Sequence, residues 1–391
     1  MISLDKAIKI VMGTGRTTGT EYVPFGYCAG RILAEEVRSD MDMPPFDRAA
    51  VDGYACRLSD TGVELEIVEV IRAGREPEHP VGKNQCARIM TGAIVPDGCD
   101  CVFMVEESKT LLSGKVIFTG VALKPNISRR GEDVMTGDVV LQKGKMIKPQ
   151  DIAVLTSFGH VSVMVSVRPS VGILSTGDEL VEPAEKPGIS KIRNSNSYQL
   201  MAQAERSGAI AKYYGIAPDD EGKTFELIKN AIAENEIVVL TGGVSMGDFD
   251  FVPAVLKKAG AKILFEQVNV QPGKPTTFGI HPDALIFGLP GNPVSAYVQF
   301  ETLVRPLIYQ MMGHSWKPVE ISLPMAGNYE RMNSVRVAWL PVKISPENEV
   351  IPVEYHGSAH IASFPYADGI VKIPSGKNLL EKGEVVIVRQ I

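Results

Sequence analysis

Between about residues 170 and 312 the chain carries apolar runs that lack the alternation of a half-exposed strand. VGILST, EIVVLT and ALIFGL are apolar almost throughout. A strand of that kind has to be buried on both faces, which points to a parallel sheet with helices on either side. The intervening segments supply those helices. SYQLMAQAERSGA has Gly208 as its stop, and EGKTFELIKNAIAE, FVPAVLKKAG and the long apolar stretch after GLPGNPVSA follow. This region is expected to be an open α/β domain.

The flanks read differently. SLDKAIKIVM (3–12) is a short amphipathic helix capped by Ser3. GTGRTTGT follows a helix rather than a strand and has Thr18 where a dinucleotide loop needs its third glycine, so it is read as a connector. From about 62 to 165, and again from 314 to 391, short strands recur between Gly and Pro turns, which predicts β-rich domains and a small C-terminal barrel. A length of 391 residues allows two to four domains. The net charge of −6 argues against nucleic acid as partner. No run is long and apolar enough for a bilayer, and MISLDKAIKI does not read as a signal peptide. Five cysteines without a CxxC pair suggest reduced thiols, hence a cytoplasmic protein.

In open α/β sheets ligands bind beyond the carboxyl ends of the strands. Three loops fall there: STGDEL (175–180), TGGVSMGDFD (241–250) and GLPGNPVSA (288–296). Their glycines, including Gly242, Gly243 and Gly291, offer backbone N–H groups to an anion. Asn292 stands at a helix N-cap with Pro293 as first helical residue, another anion-binding arrangement. Acids crowd the same edge: Asp178, Glu179, Asp219, Asp220, Asp248 and Asp250. Carboxylates beside an oxyanion need a cation between them, and Mg²⁺ suits hard oxygen ligands, with Glu179 and Asp250 the better candidates. Asp178, Asp219 and Asp248 serve equally well as helix caps. Lys274, between Gly273 and Pro275, is a positioned cation for an anion. In the β-rich part PPFDRAAVDGYA (44–55), RIMTGAIVPDGCD (88–100) and NISRRGEDV (126–134) are turn-rich loops, and Arg129-Arg130 is suited to an oxyanion.

Taken together with NSN (194–196) and PGKPTTFG (272–279), these motifs resemble, in order and approximate spacing, the molybdopterin molybdenumtransferase (MoeA) family, to which the E domain of gephyrin is related. The resemblance spans essentially the whole chain and is weakest over the last eighty residues. It implies a multidomain α/β plus β fold. The expected units are a connecting domain (20–38 and 138–165), a β-rich domain with cleft loops (39–137), a molybdopterin-binding-like α/β domain (1–19 and 166–313) and a C-terminal β-barrel (314–391). It implies insertion of molybdenum from molybdate into adenylylated molybdopterin, with Mg²⁺-dependent release of AMP. The partners implied are a second copy of the chain, an upstream molybdopterin adenylyltransferase and molybdoenzymes that accept the product. Catalytic roles carry over to Asp52, Thr91, Asp133, Glu179, Asp219 and Asp250. Cofactor contacts carry over to Gly242, Gly243, Ser245, Lys274, Pro290, Gly291, Asn292, Pro293, Ser295 and Arg336, and metal binding to Glu179 and Asp250. Two departures stand out. Gln271 replaces a lysine that several members carry, and Arg48-Ala49-Ala50 replaces Asn-Ser-Ala. A tungsten-handling relative and a non-catalytic scaffold of the same fold are the alternatives. In a scaffold the matched acids would be lost, and here they are present.

Overall fold

The computed structural model describes residues 1–122, 124–243, 252–354 and 357–391. Its largest core surrounds a six-stranded sheet, whose strands in chain order are β1 (Ser170–Thr176), β2 (Ile210–Ala217), β3 (Ile237–Thr241), β4 (Lys262–Phe265), β5 (Thr277–Ile280) and β6 (Leu285–Leu289). The spatial order is β2-β1-β3-β6-β5-β4. Alternate residues of each strand face different cores. Val171, Ile173, Ile237, Val239, Leu285 and Phe287 point one way, and Leu174, Val238, Leu240 and Ile286 point the other. Both sides are buried, so the run cannot alternate polar with apolar. Burying each such side chain contributes roughly 1.5–3 kcal/mol.

Helices cover both faces. Against the first pack α1 (Leu4–Gly13), α3 (Asn196–Arg206), α6 (Pro293–Gln299) and α7 (Arg305–Met311). Against the second pack α4 (Glu221–Glu234) and α5 (Val252–Lys258). Helix α1 buries Leu4, Ala7 and Val11 in the α/β core, and Ser3 Oγ accepts from Lys6 N at 3.2 Å. The sheet is mixed rather than parallel. Strands β2, β1, β3 and β6 are parallel, while β5 runs antiparallel to its neighbours β6 and β4 near one edge. The physical cause is the short link between β5 and β6, where His281 N bonds Ala284 O. A turn that short only joins antiparallel neighbours.

Among the described residues, four further apolar clusters account for the flanks. Strands Thr20–Pro24 and Ser162–Ser166 pair, and so do Val37–Arg38 and Val139–Leu141. Together with helix α2 (Pro149–Ser157) they close one apolar cluster from two distant segments. A four-stranded sheet, ordered Glu66–Ile71, Gln85–Ile89, Gly53–Cys56, Cys101–Met104, carries the opening motif. All five cysteines are free thiols.

The C-terminal strands form a sheet that is not a closed barrel. Its main path runs Val270–Gln271, Val337–Ile344, Gly369–Ile373, Val385–Gln390, Glu320–Pro324. A barrel needs its outer strands to pair with each other. Here one outer position is taken by Val270–Gln271 from the α/β region, which pairs with Val337 and Ala338. Among the described residues only the bridge between Met325 and Val350 spans the remaining gap. No described helix is long and apolar enough to cross a membrane.

Candidate functional site

At the carboxyl edge of the sheet, β1 leads outward to α3 and β2 on one side, and β3 and β6 lie on the other. Such a reversal of strand order opens a crevice where ligands bind. A cleft of about 640 Å³ lies there. Its walls include Ser175, Thr176, Gly177 and Glu179 after β1, Asp219 after β2, Thr241 to Gly243 after β3, and Pro290 to Pro293 after β6. Eight of the residues singled out in the sequence therefore meet: Glu179, Asp219, Gly242, Gly243, Pro290, Gly291, Asn292 and Pro293.

Local rules explain the loops. Gly242 and Gly243 have φ of +91° and +61°. A side chain on Gly243 would come within 2.8 Å of Thr176 Oγ1, and one on Gly242 would strike the Thr176 carbonyl. Only glycine lets the two loops approach so closely. Asn292 caps α6 by position, but its Nδ2 donates to Ser358 Oγ at 2.7 Å. That contact brings the C-terminal segment to the rim, where Ala359 lines the cleft. Asp178 and Asp219 clasp each other's loops: Asp219 N donates to Asp178 Oδ1 at 3.0 Å and Asp178 N to Asp219 Oδ2 at 3.3 Å. The cap of α4 is Asp220, whose carboxylate accepts from Lys223 N at 2.8 Å, so Asp219 is free of that duty.

The floor was missed in the sequence. Asn196 Nδ2 donates to Thr241 Oγ1 at 2.8 Å and to Gly291 O at 2.7 Å, joining three loops. Ser175 Oγ bonds Asn194 Oδ1 at 2.9 Å and Ser197 Oγ at 2.8 Å. The NSN motif was the available signal, since short amides inside an apolar α/β domain need partners when buried. Arg193 also lines the cleft and was overlooked.

Other candidates lie elsewhere. Lys274 is exposed and not among the lining groups, although Pro275 is. Ser295 is buried in the first turn of α6. Arg336 sits where the C-terminal sheet meets Val270, its Nη1 3.4 Å from Val270 O. Ser245 and Asp250 lie outside the described residues.

The β-rich domain holds a second constellation. Gly53 opens a central strand, and Phe103 O packs where its Cβ would be. Because Gly53 pairs antiparallel with Ile89, Asp52 and Thr91 arrive side by side. Thr91 N and Oγ1 both donate to Asp52 Oδ1, at 2.7 and 2.6 Å. The Thr91 hydroxyl, then its N–H, holds the Asp52 carboxyl below the usual range. Asp133 does not join this pair. It lines a separate hollow with Asp138 and Phe158. Arg129 and Arg130 each have a carboxylate partner within the same domain. Arg129 Nη1 pairs with Asp47 at 2.5 Å and Arg130 Nε with Asp42 at 2.7 Å, because the 126–134 loop pairs with the proline segment through Ile127–Ser128 and Val134.

Asp42 gives a test of this pairing. Thr136 N–H and hydroxyl, then Arg130, lower its pKa from the ordinary 3.8 to about 2. A carboxyl with a depressed folded pKa stabilises above its unfolded pKa and loses that contribution as pH falls through the folded one. Replacing Asp42 with Asn is therefore expected to flatten the acid limb of the stability curve between pH 3.8 and about 2. Urea melts of both proteins across that range check it.

Comparison with known proteins follows the same lines. The MoeA N-terminal region (domain I and II) matches residues 2–159, the probable molybdopterin binding domain 172–310, and the MoeA C-terminal region (domain IV) 326–391. The molybdopterin molybdenumtransferase of Bacillus subtilis (strain 168) is 34% identical over 401 residues, covering 99% of this chain and 93% of that one. Its namesake in Staphylococcus aureus (strain MRSA252) is 32% identical over 395 residues, covering 98% and 94%. The crystal structure of the molybdopterin biosynthesis moeA protein from Pyrococcus horikoshii OT3 superposes with a TM-score of 0.87 at 30% identity, covering 100% of both chains. Fold and cleft define a multidomain transferase built around a molybdopterin-binding-type α/β domain. The chain belongs to the MoeA family of molybdopterin molybdenumtransferases, which acts in molybdenum cofactor biosynthesis.

Proposed function

We propose that this protein inserts molybdenum from molybdate into adenylylated molybdopterin, with Mg²⁺-dependent hydrolysis of the adenylate that releases AMP and molybdenum cofactor. The observation that carries the reading is the cleft itself. Glycine turns from two strands, the start of α6 and the carboxylates of Glu179 and Asp219 all face one space. Backbone N–H groups favour an anion and the carboxylates oppose it, so a divalent cation between them reconciles the two. The residues fit Mg²⁺. Glu179 and Asp219 are exposed carboxylates on the cleft wall. Mg²⁺ is commonly held by one or two carboxylates, with water and phosphate oxygens completing its shell. Glu179 would hold it together with Asp250. A cation held there would supply positive charge to offset that developing on phosphate oxygens. The remaining work falls to the chain: the turns seat the anion, and Asn196 keeps the three loops in register.

The active unit in this reading is a homodimer. Asp52 and Thr91 do not line the cleft of their own chain. A second copy related by a two-fold axis would present them to it, as the family resemblance implies. Molybdopterin adenylyltransferase would supply the substrate and molybdoenzymes would take the product, in the cytoplasm. The purified protein, given adenylylated molybdopterin, Mg²⁺ and molybdate, is expected to release AMP and form metal-loaded pterin. The same assay with tungstate tests metal choice. No AMP release with either oxyanion would refute the function.

A further inference from the structure

Three charged side chains line the cleft among the described residues: Glu179, Asp219 and Arg193. Arg193 is the cation of the set. Its backbone is held. Val181 and Arg193 pair in a short parallel ladder, Ile192 N donates to Glu179 O at 2.8 Å, and Asn194 N to Val181 O at 2.9 Å. The loop from 179 to 194 thus closes on itself, and it fixes Glu179 and Arg193 at one mouth.

Below the loop the support is polar and partly buried. Asn194 Nδ2 donates to Tyr213 OH at 2.9 Å. Tyr213 OH donates to Glu182 Oε1 at 2.6 Å, and Tyr198 OH to Glu182 Oε2 at 2.9 Å. The guanidinium is steered as well. Arg193 Nε donates to Glu185 O at 3.0 Å, and its Nη groups carry no hydrogen bond or ion pair among the described residues. The fork pairs with neither carboxylate of its own cleft, so its Nη groups remain available to a ligand.

We propose that Arg193 binds the phosphate oxygens of the anionic ligand in this cleft, an inference that rests on the functional reading above. The planar guanidinium offers parallel N–H groups that match two phosphate oxygens, which a lysine cannot do. The glycine turns would meet the same group with backbone N–H, while Glu179 and Asp219 face the cation. Arg193 therefore takes the anchoring role that the sequence suggested for Lys274, whose side chain is not among the lining groups.

The test uses the full chain with Arg193→Gln and Arg193→Lys. Loss of a charge-assisted contact is expected to raise KM for adenylylated molybdopterin about 10- to 100-fold in R193Q, with kcat little changed. R193K should recover part of the loss. Inorganic pyrophosphate should inhibit the parent competitively and lose potency in R193Q by a similar factor. The residue is exposed, so the melting temperature should not move. A KM within about twofold of the parent, or a fall in kcat alone, overturns the inference. If the parent releases no AMP, the functional reading fails instead. Calorimetric binding of pyrophosphate then decides Arg193, and equal affinity in parent and R193Q, or no binding by the parent, overturns it.

Discussion

Asp52→Asn is expected to slow AMP release and cofactor formation by at least about 100-fold, the scale of losing a positioned ionised group in a reaction. The fold should be untouched. Asp52 is exposed, and its carbonyl continues to accept from Val105 N at 3.1 Å whatever the side chain. The substitution removes charge where Thr91 spends two donors to keep it. An amide can present an oxygen to Thr91 in place of the carboxylate, so the local turn survives while the charge does not. A steady-state assay with a matched thermal melt checks both halves. The dimer reading adds a sharper test. Asp52→Asn and Glu179→Gln chains should each be inactive alone, yet on mixing and exchange about one site in four combines two intact surfaces. Full turnover in D52N would refute the role of Asp52, and no recovery on mixing would refute the shared site.

The largest stability effect is expected at Glu301. Its carboxylate is 1% exposed and accepts from Gln203, Arg206 and Arg305. The Glu301 carbonyl takes a bond from Arg389 Nη2 at 2.6 Å. Arg305 and Arg389 both stack on Trp316, with centroid distances of 4.8 and 5.1 Å. One acid thus offsets two cations at the junction of α3, the α6–α7 helix and the C-terminal sheet. Glu301→Ala strands Arg305, 15% exposed, beside Arg389 without its counter-charge. Breaking such a pair costs about 3–5 kcal/mol. Since Arg206 is 41% exposed and can recover water, a value of about 3 kcal/mol is expected. Urea unfolding measures it, and a loss under about 1 kcal/mol would show that solvent already screens the group. Glu301→Gln should fall between, because it keeps acceptor geometry without charge.

How much was readable in advance depended on range. Runs such as IVVLT reveal burial on two faces because periodicity is local. Gly208, with φ of +87°, ends α3 as its place in the sequence suggested. The STGDEL, TGG and LPGNP loops could be placed together because strand polarity puts all carboxyl ends at one edge. The NSN floor and Arg193 were harder. An asparagine inside an apolar domain shows that a partner is needed, not which loop supplies it.

The sequence by itself determined the order of elements, the doubly covered sheet, the glycine turns and the acids at its carboxyl edge, since each follows from neighbours a few residues apart. Only the tertiary structure decided that the last sheet stays open, that Arg129 and Arg130 pair with Asp47 and Asp42, and that Arg193 rather than Lys274 lines the cleft. Those outcomes depend on which distant groups compete for the same edge, charge or space. Val270–Gln271 takes a strand edge, and the 126–134 loop meets two carboxylates of the opening segment. Such competition between residues many positions apart leaves no periodic trace in the chain.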